Sequence, residues 1–156
     1  MAELTRTEVI KIIAMGPKSG VTLRGVDLSG LDLSSLGFAE ANLAHANLSE
    51  ANFSQVDLSK ADLSGANLSY ADFSEANLQG AILSGANLVG ADFRSANLMD
   101  ADLRKADLRG ANLRGAALTR ANLWQADLRD AIMIYTDIES AKGLPLNIEQ
   151  WLQDKT

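Results

Sequence analysis

A reactive centre in this chain would have to be assembled from one histidine, His45, and from serine, asparagine and acidic side chains, because there is no cysteine. That absence removes disulfides, thiolate metal sites and a cysteine nucleophile together. A serine nucleophile needs a positioned base and an oxyanion site, yet the serines recur at a uniform interval. His45 falls between two apolar triplets, where a solvated surface residue is expected. The aspartates offer oxygens to Ca²⁺, but no loop gathers several ligands at EF-hand spacing. No catalytic, cofactor-binding or metal site is therefore expected, and the spacing of the polar residues points to structure.

The interval is five. Ala41-Asn42-Leu43, Ala46-Asn47-Leu48 and Ala51-Asn52-Phe53 continue without a slip, giving 24 consecutive units whose large apolar centres run from Leu23 to Ile138. Leu fills 18 centres, Phe four, and Met133 and Ile138 the other two, while Ala stands two places before the centre in 18 units. Asp or Asn usually lies between them, so each unit reads apolar-polar-apolar, the alternation of a strand; an amphipathic helix needs spacings of three and four that a strict five cannot supply. Two small or polar residues follow, with Gly in the second place eight times, so each fragment ends in a turn.

If every unit turns the chain through a quarter circle, the apolar pair always faces one axis and four units close a coil of about twenty residues. Phe53, Phe73 and Phe93 are spaced in that way, which predicts an internal ladder of rings along one face. The run of A(D/N)LXX units resembles the pentapeptide repeat proteins, over about three quarters of the chain. The resemblance implies an all-β solenoid, a right-handed quadrilateral β-helix of square section with the Ala and Leu registers facing inward. Six coils at roughly 4.8 Å each would give a rod about 29 Å long. Ala must be small beside a filled axis, so Ala86→Phe should overpack.

An open stack needs covered ends. Thr5-Arg6-Thr7-Glu8 has capping-box spacing, Val9, Ile12 and Ile13 share a helical face, and Gly16-Pro17 is a stop. In the first coil Val21, Val26, Leu31 and Leu36 replace Ala, as expected where the interior must meet a cap. After Gly143-Leu144-Pro145, residues Asn147 to Leu152 read as a short amphipathic helix. The expected organisation is one structural domain: capping helix and linker over 1–20, β-helix over 21–140, and carboxyl-terminal cap or tail over 141–156. Met1 to Met15 has no basic leader and its apolar stretch is broken by Lys11, so it reads neither as a signal peptide nor as a membrane span. A soluble protein of the cytoplasm is expected.

The residue between Ala and centre points outward in the family's fold, so Asp and Asn should form solvated columns, with Asp72 stacked on Asp92 and Asp107 on Asp127. Arg94, Arg104, Arg109, Arg114 and Arg129 follow their centres directly, beside those columns, and intramolecular pairing is expected, weak at exposed sites. Residues 1–80 carry ten acids and five bases, the remainder ten and nine, so the rod should be electrically lopsided. Trp124, Ile132, Ile134 and Tyr135 stand where outward positions are expected. They are covered by the tail or form an interaction surface, for a partner protein or for a homodimer through the carboxyl-terminal end.

A net charge of -6 argues against nucleic acid and anionic lipid. No basic stripe carries stacking aromatics, and the six threonines form no array suited to ice. Neither nucleic acid nor membrane is expected as a partner. The sequence thus predicts a non-catalytic structural or protein-protein interaction module, not an enzyme, with no cofactor. The alternative, from the resemblance, is a DNA-mimicking binder of a type II topoisomerase (gyrase). Such members typically carry projecting loops and a carboxyl-terminal dimer, and this chain has no insertion between Leu23 and Ile138.

Overall fold

The computed structural model describes residues 4–16 and 20–144. Its coils follow from how the five N–H groups of each unit are used. In the unit 61–65, Ala61 donates to the Leu58 carbonyl (3.0 Å), closing a turn, while Asp62 donates back to Ala41 (2.8 Å), and Leu63 and Gly65 donate forward to Ile82 (2.7 Å) and Ser84 (3.0 Å). The fifth, on Ser64, goes to the Asp62 side chain at 3.0 Å. Every N–H is thereby paired, as a tightly packed backbone requires.

Parallel pairing one residue deep joins positions twenty apart, from Thr22 with Asn42 through to Asn122 with Lys142. Four faces result: face 1 carries Thr22, Asn42, Asp62 and Ile82; face 2, Asp27, Asn47 and Asn67; face 3, Asp32, Asn52 and Asp72; face 4, Gly37, Asp57 and Asn77. The twenty-residue coil expected from the phenylalanine spacing is the one observed.

At every corner from Gly25 to Ser140 the second turn residue is left-handed, with φ between 55 and 68°, and the turn closes with a bond three residues back. Positive φ at that place is the mark of a type II turn and favours glycine. Sixteen of these residues are nevertheless not glycine. Their backbone costs about 1–2 kcal/mol each, offset at eleven of them because the same N–H is donated to the next coil, as from Tyr70 to Val89 at 2.9 Å.

Leu, Phe and Ala fill the interior; from Ala41 to Leu123 every centre and every residue two before it is buried. Phe53, Phe73 and Phe93 stack with centroids 5.3 and 5.0 Å apart and rings within 6° of parallel, and Phe38 meets Phe53 edge-on at 5.5 Å. No buried side-chain nitrogen or oxygen lacks a partner among the described residues.

Helix α1, Arg6–Met15, opens on Thr5 with both halves of the capping box formed and ends at Gly16. Val9 is fully buried, and Leu4, Ile12 and Ile13 pack against the core together with Val26, Leu31 and Leu36. Arg6 fixes the helix by donating to the carbonyls of Asp32 (2.6 Å) and Ser34 (3.1 Å). The amphipathic helix expected over Asn147 to Leu152 lies outside the described residues. Among those described, no helix is long and apolar enough to cross a membrane.

Candidate functional site

The columns expected to be merely solvated have a structural task. Each Asp or Asn between Ala and centre turns an Oδ1 back onto the N–H two residues on, at 2.8 Å for Asp72 to Ser74 and 3.1 Å for Asn42 to Ala44. This is the Asx turn, available only to Asp and Asn. It accounts for their frequency at this place; Ile82, Ala117 and Ile132 cannot supply it.

Stacked asparagines add a second bond. On face 2, the Nδ2 groups of Asn47, Asn67 and Asn87 donate to Asp27, Asn47 and Asn67 at 3.0, 3.1 and 3.0 Å. On face 4, Asn77 and Asn97 donate in the same way to Asp57 and Asn77, both at 3.1 Å.

In the later coils arginine takes over. Arg94, Arg104 and Arg109 reach the aspartate two residues before them at 2.7, 2.6 and 2.7 Å; Arg129 does the same with Asp127. Arg120 pairs with Asp100 in the preceding coil at 2.7 Å. Hydrogen bonds from Arg104, Arg109 and Arg129 hold Asp102, Asp107 and Asp127 below the usual carboxylate range, Asp127 at about 2. Arg114 departs from the expected pairing: Asn112 stands where an aspartate would, Arg114 makes no ion pair among the described residues, and its guanidinium lies 5.7 Å from the Tyr135 ring centroid.

His45 is exposed at the corner after face 1 and leans over the next coil; a Cβ placed at Gly65 would lie 2.7 Å from its Nδ1. Tyr70 does the same one corner on, with its ring 2.5 Å from where a Gly90 Cβ would be. A side chain at either place would have to displace the exposed ring that leans over it from the coil before.

The four candidate interaction residues do not form one patch. Trp124 is 55% exposed at the corner after face 1, while Ile132 lies on face 3, with Ile134 and Tyr135 (82% exposed) at the corner after it, diagonally across the rod. Each corner carries a shallow groove. One, of about 410 Å³, is lined by Ser84, Arg104, Lys105 and Trp124; the other, of about 350 Å³, by Ser74, Glu75, Arg94, Ser95, Arg114 and Tyr135. Tyr70 and Ile82 are also exposed. The signal for both was present, since each is a large side chain at an outward position of the repeat.

Coils of twenty residues, paired in parallel on four faces around an Ala–Leu interior, define a quadrilateral β-helix. A family model described as pentapeptide repeats matches residues 38–73, 71–110, 96–133 and 111–142. The chain belongs to the pentapeptide repeat family. It is similar to the crystal structure of Rfr23, a pentapeptide repeat protein of the cyanobacterium Cyanothece 51142, at 32% identity over 87% of this chain and 97% of that one, with a TM-score of 0.54. The pentapeptide repeat protein alr5209 of Nostoc PCC 7120 is 40% identical over 58% of this chain and 78% of its own, with a TM-score of 0.52. HetL, a pentapeptide repeat protein involved in heterocyst differentiation regulation in Nostoc sp. strain PCC 7120, shares the fold at 24% identity, 89% and 97% coverage and a TM-score of 0.51. No curated protein sequence matches significantly.

Proposed function

We propose that the chain is a non-catalytic rod of about six coils, covered at both ends by helical segments, that presents its outer surfaces to another protein in the cytoplasm. One observation carries this reading. The Asp and Asn side chains of the four columns are engaged in Asx turns, amide ladders and ion pairs, while large apolar side chains stand outside the repeat pattern at Tyr70, Ile82, Trp124, Ile132 and Tyr135. Exposed aromatic residues of this kind are enriched at protein interfaces. A second copy of the chain is a candidate for the surface at Ile132, Ile134 and Tyr135.

The test is affinity capture and sedimentation with the native chain and with Trp124→Ser and Tyr135→Ser. A bound protein, or a dimer, that is lost with either variant supports the reading; its absence at both corners overturns it. DNA mimicry of a gyrase substrate rests on the acidic surplus of residues 1–80. Inhibition of supercoiling, or protection from a quinolone, at low micromolar chain would put that reading first.

A further inference from the structure

The corner after face 3 holds an arginine prepared for a partner. Arg94, Arg104, Arg109 and Arg129 each take the aspartate of their own unit. Arg114 follows Asn112, whose Oδ1 receives the Arg114 backbone N–H at 3.2 Å, so the turn is kept while the guanidinium is left without a carboxylate among the described residues. Tyr135, one coil on, supplies a ring face 5.7 Å away. A guanidinium held over a ring keeps its N–H edges available for a bidentate carboxylate. The groove beside it is lined by Ser74, Ser95 and Arg94 and reaches Glu75, whose Oε2 accepts from Gln55 at 3.0 Å.

We propose that this groove binds an extended segment of a partner polypeptide, with an aspartate or glutamate on Arg114 and a lysine or arginine toward Glu75. The proposal rests on the interaction-module reading and narrows it to one corner and one charge pattern. Arg114 and Glu75 lie two coils apart, about 10 Å at roughly 4.8 Å per coil, a distance that about three extended residues span. A paired acid and base also suit an acidic rod better than a purely acidic segment, which the net charge of -6 would repel.

A display library of random peptides panned against the folded chain tests it. Selected sequences should share an acidic residue about three places from a basic one, and synthetic copies should bind Arg114→Gln about tenfold more weakly. Panning on Arg114→Glu should instead select a basic residue at the first place. Unchanged melting of both variants, expected because Arg114 has no ion pair among the described residues, shows that the fold is intact. Selected peptides that bind Arg114→Gln as tightly as the native chain would overturn the groove and leave the interaction reading standing. No selected peptide at all would overturn both. Inorganic phosphate displacing peptides that lack an acidic residue would reassign Arg114 to a free anion and overturn the peptide proposal.

Discussion

Asn67 and Asp107 stand on the same face, two coils apart, in the same place of the repeat. Both cap the N–H two residues on, at 3.4 and 3.3 Å, but they meet their neighbours differently. Asn67 is one rung of a neutral ladder, donating to Asn47 and accepting from Asn87. Asp107 is stacked on Asp127, a like charge, and each is accompanied by the arginine of its own unit; Arg109 also approaches Asp127 at 3.8 Å. An amide passes a hydrogen bond along the axis without charge, whereas a carboxylate over a carboxylate repels unless a cation is brought with it. Arg94, Arg104, Arg109 and Arg129 are therefore companions of the aspartate columns and do not make a basic patch. Arg114, which has no such duty, stands apart for that reason.

The strongest way to break this comparison is through the interior that both regions share. Leu68→Ala and Leu108→Ala should each cost about 2–5 kcal/mol in urea unfolding, since both side chains are fully buried. Unequal losses, or two separate transitions, would show that the halves differ in more than their surfaces. Ala86→Phe, between the two regions, should cost about 1–3 kcal/mol by overpacking. Asn67→Ala removes both the cap and the ladder bonds and should cost about 1–2 kcal/mol, independent of salt. Asp107→Asn retains the cap and loses only an exposed ion pair, so about 0–1 kcal/mol is expected, shrinking as salt is added.

Acid sharpens the contrast further. Asp127, held at about 2 chiefly by the Arg129 hydrogen bond, has a folded-state pKa below its unfolded one. Its contribution is complete above the ordinary carboxylate value of about 4 and is lost as pH falls toward 2. Between those pH values the native chain should lose more stability than Asp127→Asn, measured by thermal melting. Equal slopes would show that the ion pair contributes nothing to folding.

The coil size, the interior and the capping helix were legible in the sequence because each follows from a spacing: five, twenty, and the Thr5–Glu8 interval. The role of Asp and Asn was not. Their frequency read as surface polarity, since a hydrophobic pattern carries no account of where backbone N–H groups go. The left-handed residues were legible at the eight glycines and hidden at the sixteen others, at eleven of which a coil-to-coil bond offsets the intrinsic preference. Trp124 and Tyr135 could have been separated beforehand, because Trp124 and Ile134 follow centres two units apart and two quarter turns make a diagonal. Arg114 was expected to find an acid from its column; for the arginines that directly follow a centre, the close pair is set instead within the unit, by whether Asp or Asn precedes that centre.

From residue 61 to residue 120 each unit sends three N–H donors to adjacent coils, one back and two forward along the stack. Tension applied between the ends therefore loads a whole ring of bonds at once, as in a stack of bolted flanges, and the joint that opens first is the one whose ring is incomplete. Each coil that detaches releases about 70 Å of chain, at roughly 3.5 Å for each of its twenty residues. Pulled on, the molecule should behave as a series of equal latches, releasing length in fixed increments from an end inward.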